Sequence, residues 1–246
     1  MPFANDESLG YATAQRQFSQ GDSLIFDQAY RRAHLPLVNP VHPLVITESG
    51  DYRLGRYLTR RYSLVIPINI DALESSKVFQ KMDLHLRQSR LSTAIAWPIM
   101  KLRRDFVHAT LCGGFTEAQL PELVNLMQSW VATHQAPRYQ INGMFNGSIN
   151  TGRVYLKLYP EIGDGINSFQ AIQPAVGNPM TNMWLAGYYH FHDELSVEMT
   201  QELATMIALY GNQMLIEQVC QEVLLLATHD DLALSGEIIA QFRLNS

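Results

Sequence analysis

The chain has 246 residues, 47% of them apolar and 17% charged, with a formal net charge of −5 and two cysteines. That length buries a substantial core as one domain or two small lobes. The acidic balance argues against a coat protein for long nucleic acid, while leaving room for a local basic patch. Cys112 and Cys220 build neither a disulfide framework nor a thiolate metal cluster and read as buried thiols. The N-terminus carries no secretory pattern, and no apolar run approaches ~18 residues, so a cytoplasmic protein with no membrane partner is expected.

Residues 1–60 are read as an N-terminal extension packed on the domain formed by residues 61–246. Asp22 to His34 suits a short helix, with Leu24, Ile25, Gln28 and Ala29 near helical spacing. Pro36, Pro40 and Pro43 then force extended or turn conformations. His34 and His42 stand beside these prolines and read as surface residues. Arg53, Arg56, Arg60 and Arg61 follow, either as a solvated face or as a phosphate-collecting patch. Tyr62 to Ile70 is a strand, apolar nearly throughout, and Pro67 marks it as an edge or a bulge. Asp71 is placed to cap a helix reaching about Gln88, with Leu73, Val78, Phe79, Met82 and Leu86 on its buried face. Lys101, Arg103 and Arg104 precede a strand from Phe106 to Leu111 and stand where they would steer an anion.

A helix from about Glu117 to His134 follows Gly113-Gly114, and Tyr139 to Phe145 reads as a strand. In the strand Arg153 to Tyr159, Val154, Leu156 and Leu158 take one face, Tyr155, Lys157 and Tyr159 the other. In a concave site Tyr155 would stack on a base and Lys157 meet a phosphate; the alternative is a half-exposed strand face. A helix near Asp164 to Ile172, a strand from Tyr188 to His192 and a helix from Val197 to Tyr210 come next. Strands from Val219 to Ala227 and Glu237 to Leu244 close the chain, with His229-Asp230-Asp231 as a polar turn between them.

Two stretches carry chemistry. In strands, residues i and i+2 share a face, so His108 pairs with Thr110 and His190 with His192. If the two strands approach, both imidazoles face one pocket, and one can take a proton while the other gives one. His108-Ala109-Thr110-Leu111 resembles the H-x-T-L signature of the two-histidine phosphoesterases, which include RNA 2′,5′-ligase-like proteins and cyclic nucleotide phosphodiesterases. That superfamily carries two H-x-[ST] motifs in pseudo-symmetric halves, roughly eighty residues apart, and His190 stands at about that distance from His108. The helix after the first motif and the strand Arg153 to Leu158 before the second also resemble the family pattern, over roughly residues 62–244.

The resemblance implies an α+β, bilobal fold: two pseudo-symmetric antiparallel sheets, flanked by helices, around a central cleft. It implies hydrolysis of a 2′,3′-cyclic phosphate on a small nucleotide or an RNA end, without metal or other cofactor and without an extended nucleic-acid surface. His108 and His190 would be catalytic and Thr110 would bind substrate, joined by Tyr155 and Lys157 if their strand face lines the site. The chain departs from the pattern at His192, which stands where the family has Ser or Thr. That imidazole would donate to a phosphate oxygen in place of the hydroxyl. Two alternatives stay open: a non-catalytic module that binds nucleotides or RNA ends, and a metal-dependent hydrolase using His190-x-His192 with His108.

Overall fold

The computed structural model describes residues 1–163 and 165–245. The N-terminal segment forms short pieces: α1 (Tyr11–Ala14), α2 (Gln28–Ala33), α3 (Leu35–Val38), β1 (Glu48–Ser49) and β2 (Tyr52–Arg53). The helix expected from Asp22 starts later because Asp27 is its cap, the carboxylate accepting from the Tyr30 N–H. Pro36 sits in the first turn of α3, where a missing N–H costs nothing. Strand β3 (Arg56–Pro67) runs straight across the boundary expected at residue 60.

The single helix read after Asp71 is two: α4 (Ile70–Ser75) and α5 (Lys77–Gln88). Asn69 caps the first and Ser76 the second, each side-chain oxygen accepting a first-turn N–H. Then come α6 (Trp97–Arg103), β4 (His108–Phe115), α7 (Leu120–Thr133), β5 (Arg138–Phe145) and β6 (Arg153–Pro160). A small hairpin of β7 (Ile162–Gly163) and β8 (Ile166–Asn167) precedes α8 (Ser168–Ala175). Asp164, where the sequence starts that helix, lies outside the described residues. The chain ends through β9 (Leu185–His190), α9 (Val197–Tyr210), β10 (Met214–Val219), β11 (Glu222–Asp230) and β12 (Glu237–Arg243).

The fold is α+β, with one large antiparallel sheet and helices. Ten strands join in the order β1-β2-β3-β4-β9-β6-β5-β10, with β11 on the other edge of β3 and β12 beyond it. Apolar residues from α5, α7, α8 and α9, among them Met82, Met127, Phe169 and Leu203, pack in one core with Ile66, Ile141, Leu156 and Leu158 of the sheet.

The strands that carry the two histidine motifs are neighbours. Strands β4 and β9 meet at one register pair, Ala109 opposite Ala186, and both alanines are fully buried. In unbroken strands this register would put His108 and His190 on opposite faces, because His108 is one residue from Ala109 and His190 is four from Ala186. A bulge intervenes: β6 pairs Val154 with Tyr189 but Tyr155 with Gly187, so Tyr188 is the extra residue. The bulge returns His190 to the His108 face, directly across from Arg153.

Candidate functional site

His108 opens β4 at the wall of a cleft of about 370 Å³, shared with Tyr57, Arg61, Ser63, Thr110, Arg153 and Thr228. The imidazole is half-buried, and Nδ1 lies 2.6 Å from the Phe106 carbonyl oxygen. A carbonyl only accepts, so Nδ1 holds the proton and Nε2 keeps its lone pair. Burial lowers the His108 pKa to about 4; the Phe106 carbonyl opposes that shift, and the Arg103 and Arg153 charges add to it. At neutral pH this ring is therefore an uncharged base.

The acidic groups of the cleft are already satisfied. The buried Asp230 carboxylate accepts from the N–H groups of Leu232, Leu234 and Ser235 and from the Ser235 hydroxyl. It thus knots the turn after β11; the polar turn read at His229-Asp230-Asp231 starts later than expected, because His229 and Asp230 still belong to the strand. Asp231 accepts from the hydroxyls of Tyr52 and Tyr57. Arg61 lies 3.6 Å over the Tyr57 ring and pairs with Asp51, so one arginine of the N-terminal cluster does reach the cleft. Among the described residues no group of three His, Cys, Asp or Glu side chains is arranged to hold a metal ion.

Two arginines that the sequence did not mark as a pair stand here, Arg153 at the cleft wall and Arg103 behind it. Arg103, the last residue of α6, is buried and donates to the carbonyls of Leu232 (2.6 Å) and Gly187 (2.9 Å). Burial, and then the charge of Arg153, lower its pKa, yet a guanidinium stays protonated at neutral pH. Arg153 lies 5.0 Å over the Tyr155 ring, and a Cβ on Gly187 would fall 1.9 Å from its Nε. Gly187 therefore receives both guanidiniums, one on its carbonyl and one against its α-carbon. Among the described residues neither arginine has a carboxylate within ion-pair distance. Arg153, half-buried and lining the cleft with no carboxylate in ion-pair distance, makes that wall a ready place for an anion, with the buried Arg103 charge behind it.

His190 is 1% exposed, and neither ring nitrogen has a hydrogen-bond partner. Burial, then Arg103, Arg153 and His34, hold its pKa well below the usual histidine value. It does not line the cleft; it sits behind Arg153, its ring stacked at 5.9 Å on His34. His34, read from the sequence as a surface residue, is itself buried, because α2 and α3 fold down onto the end of β9. Only the Pro-dense composition was visible in the sequence, and it does not report where such a segment packs.

Of the other expected site residues, the structure brings Thr110 into the cleft beside His108. His192 lies past the end of β9, so strand alternation does not govern it; its Nε2 is 2.9 Å from the Thr93 carbonyl oxygen and its own carbonyl accepts from Asn39. Tyr155 is buried beneath Arg153. Lys157 is buried as well, its Nζ donating to Asn212 at 2.9 Å and standing 3.6 Å from Asp6. Strand β6 is interior to the sheet, between β5 and β9, and buried along almost all its length, so it has no half-exposed face.

No family model matches the chain, and no curated protein matches it. Among solved structures, it is similar to the crystal structure of TT0787 of Thermus thermophilus, at 10% identity and a TM-score of 0.43. That likeness covers 76% of this chain and 98% of the other. No helix among the described residues is long and apolar enough to cross a membrane.

Proposed function

We propose that the chain is a metal-independent hydrolase of the two-histidine phosphoesterase kind, which opens a 2′,3′-cyclic phosphate on a small nucleotide or an RNA end. The observation that carries this is the cleft itself. A neutral imidazole with a free Nε2, a threonine hydroxyl and guanidinium groups line one cavity large enough for a nucleotide phosphate. The two four-strand halves, β12-β11-β3-β4 and β9-β6-β5-β10, correspond in this proposal to the two lobes.

In the proposed step His108 Nε2 accepts a proton from water as its oxygen attacks phosphorus. One ring P–O bond breaks, and the leaving ribose oxygen takes a proton that His190, behind Arg153 and outside the cleft lining, supplies through an intervening water. Arg153 and the Thr110 hydroxyl hold the phosphate oxygens as charge builds on them. His190 must be protonated to do this. Burial first, and then the charges of Arg103 and Arg153, hold the imidazole neutral; a bound phosphate favours the charged form by offsetting the arginines. His192, Tyr155 and Lys157 take no part, each being engaged elsewhere.

A second function, a non-catalytic phosphate-binding module, is favoured by one observation: His190 is sealed beneath His34 and Tyr30. Turnover of a nucleoside 2′,3′-cyclic phosphate in the presence of a chelator separates the two. The hydrolase should turn over, and His108→Ala and His190→Ala should each lose about 10²–10⁴-fold. Binding of the cyclic phosphate without turnover would favour the module. Turnover abolished by the chelator would overturn the metal-free mechanism.

A further inference from the structure

Four buried nitrogens without a protein partner crowd one place behind the cleft: Nδ1 of His34, both ring nitrogens of His190 and Nε of Arg153. Buried polar atoms are nearly always paired, so such a cluster needs a reason. His34 is its link to the N-terminal segment. Its ring lies flat against Tyr30, at 5.3 Å and 4°, and stacks on His190 at 5.9 Å and 25°. Its Nε2 is 3.1 Å from Arg153 Nη1. A guanidinium only donates, so Nε2 accepts, and His34 is neutral with its proton on Nδ1.

The sheet is shaped to receive this contact. A Cβ on Gly152 would lie 2.3 Å from the Tyr30 ring, and one on Gly187 would meet the Arg153 guanidinium. Neither glycine has a positive φ, so space rather than backbone conformation requires them. The Tyr30 hydroxyl donates to the Phe191 carbonyl at 2.7 Å. Asp27 accepts from the N–H groups of Asn150 and Thr151, in the turn that delivers Arg153 to β6. The N-terminal segment thus grips both ends of the Arg153–His190 pair.

We propose that His34 is a positioning residue for the cleft: by accepting from Arg153 it holds the guanidinium against Gly187, open to the cavity of His108 and Thr110, before any phosphate arrives. The inference rests on that cavity being a phosphate site. An arginine left unheld would have to be ordered at the moment of binding, at a cost in affinity.

The test is the Kd of inorganic phosphate for the full-length chain, measured by calorimetry in four variants. His34→Phe keeps the ring stack and removes the acceptor; it should bind about tenfold more weakly than wild type. His34→Gln, whose amide oxygen reaches toward the place of Nε2, should stay within about threefold of wild type. Arg153→Ala should bind more weakly still. In Arg153→Ala the further change His34→Phe should cost nothing more, because His34 acts through Arg153. Wild-type affinity in His34→Phe beside a weakened Arg153→Ala overturns the positioning role and leaves the phosphate cleft standing. Equal losses in His34→Phe and His34→Gln, or additive losses in the double variant, also overturn it. Absence of phosphate binding in wild type overturns both. Should His34→Phe not fold, the His34→Gln and Arg153→Ala comparison carries the test, and a tenfold loss in His34→Gln rejects the inference.

Discussion

His108 keeps its Nδ1 proton on the Phe106 carbonyl, and that one contact decides which nitrogen faces the cleft chemistry. Lys157 shows the opposite outcome for a residue of equal promise in the sequence. It stands between the rings of Tyr11 and Tyr159, with Asp6 and Asn212 at its ammonium. Lys157→Met should therefore cost stability, about 1–3 kcal/mol, by leaving those partners unmatched, and should leave phosphate affinity unchanged. Urea denaturation and a phosphate titration on the same variant check both halves. A variant of full stability that no longer binds phosphate would return Lys157 to the site. The sequence made His108 and Thr110 legible because a short strand motif fixes their shared face. It could not place Lys157, because alternation gives a face without saying that β6 is interior to the sheet.

At the scale of elements, a single extra residue in β9 matters most. The Tyr188 bulge sets His190 on the face of His108, and Gly187 beside it leaves room for Arg153. Gly187→Ala should push the guanidinium out of place and weaken phosphate binding by about tenfold or more. Gly143→Ala is the matched control. Its Cβ would lie 2.3 Å from the Tyr210 carbonyl oxygen, at the end of α9 and away from the cleft lining. It should lower stability by about 1–3 kcal/mol and leave phosphate affinity intact. Equal binding losses in the two variants would mean that general strain, not Arg153, is responsible. Most strands and helices were legible from apolar periodicity. The bulge was not: Gly187 is a signal for a bulge or a close backbone approach, but it lies before the Tyr188 at which the strand was read to start. Strand β10 was missed for a different reason: Met214 to Val219 is short and half polar, and its pairing with β5 is a tertiary event. The break at Ser76 was readable in hindsight as a cap, but continuous apolar spacing across it favoured one helix.

Across the whole molecule, three buried or half-buried histidines share a charge problem. His34, His108 and His190 all have pKa values lowered by burial first, with Arg153 and Arg103 adding to the effect. Each binds its proton more weakly folded than unfolded, so between pH ~6.5 and the folded values the unfolded chain holds more protons. Their contribution to stability is therefore complete above about pH 6.5 and is lost as pH falls toward about 4, where His108 titrates in the fold. The urea midpoint should fall steadily from pH 7 to pH 5; a midpoint that is level across that range would contradict the neutral, buried state of these rings. The same charge balance gives the most direct test of the phosphate cleft. Nitrogen-15 NMR of the histidine rings, followed across pH with and without inorganic phosphate, reads the His108 titration itself. The free protein should titrate at about 4 with the proton on Nδ1, and phosphate at a concentration that just saturates the wild type should raise that midpoint and protonate Nε2, with a smaller shift in Arg153→Ala at the same concentration. A His108 titration unmoved by phosphate, or moved equally in Arg153→Ala, would contradict the phosphate cleft.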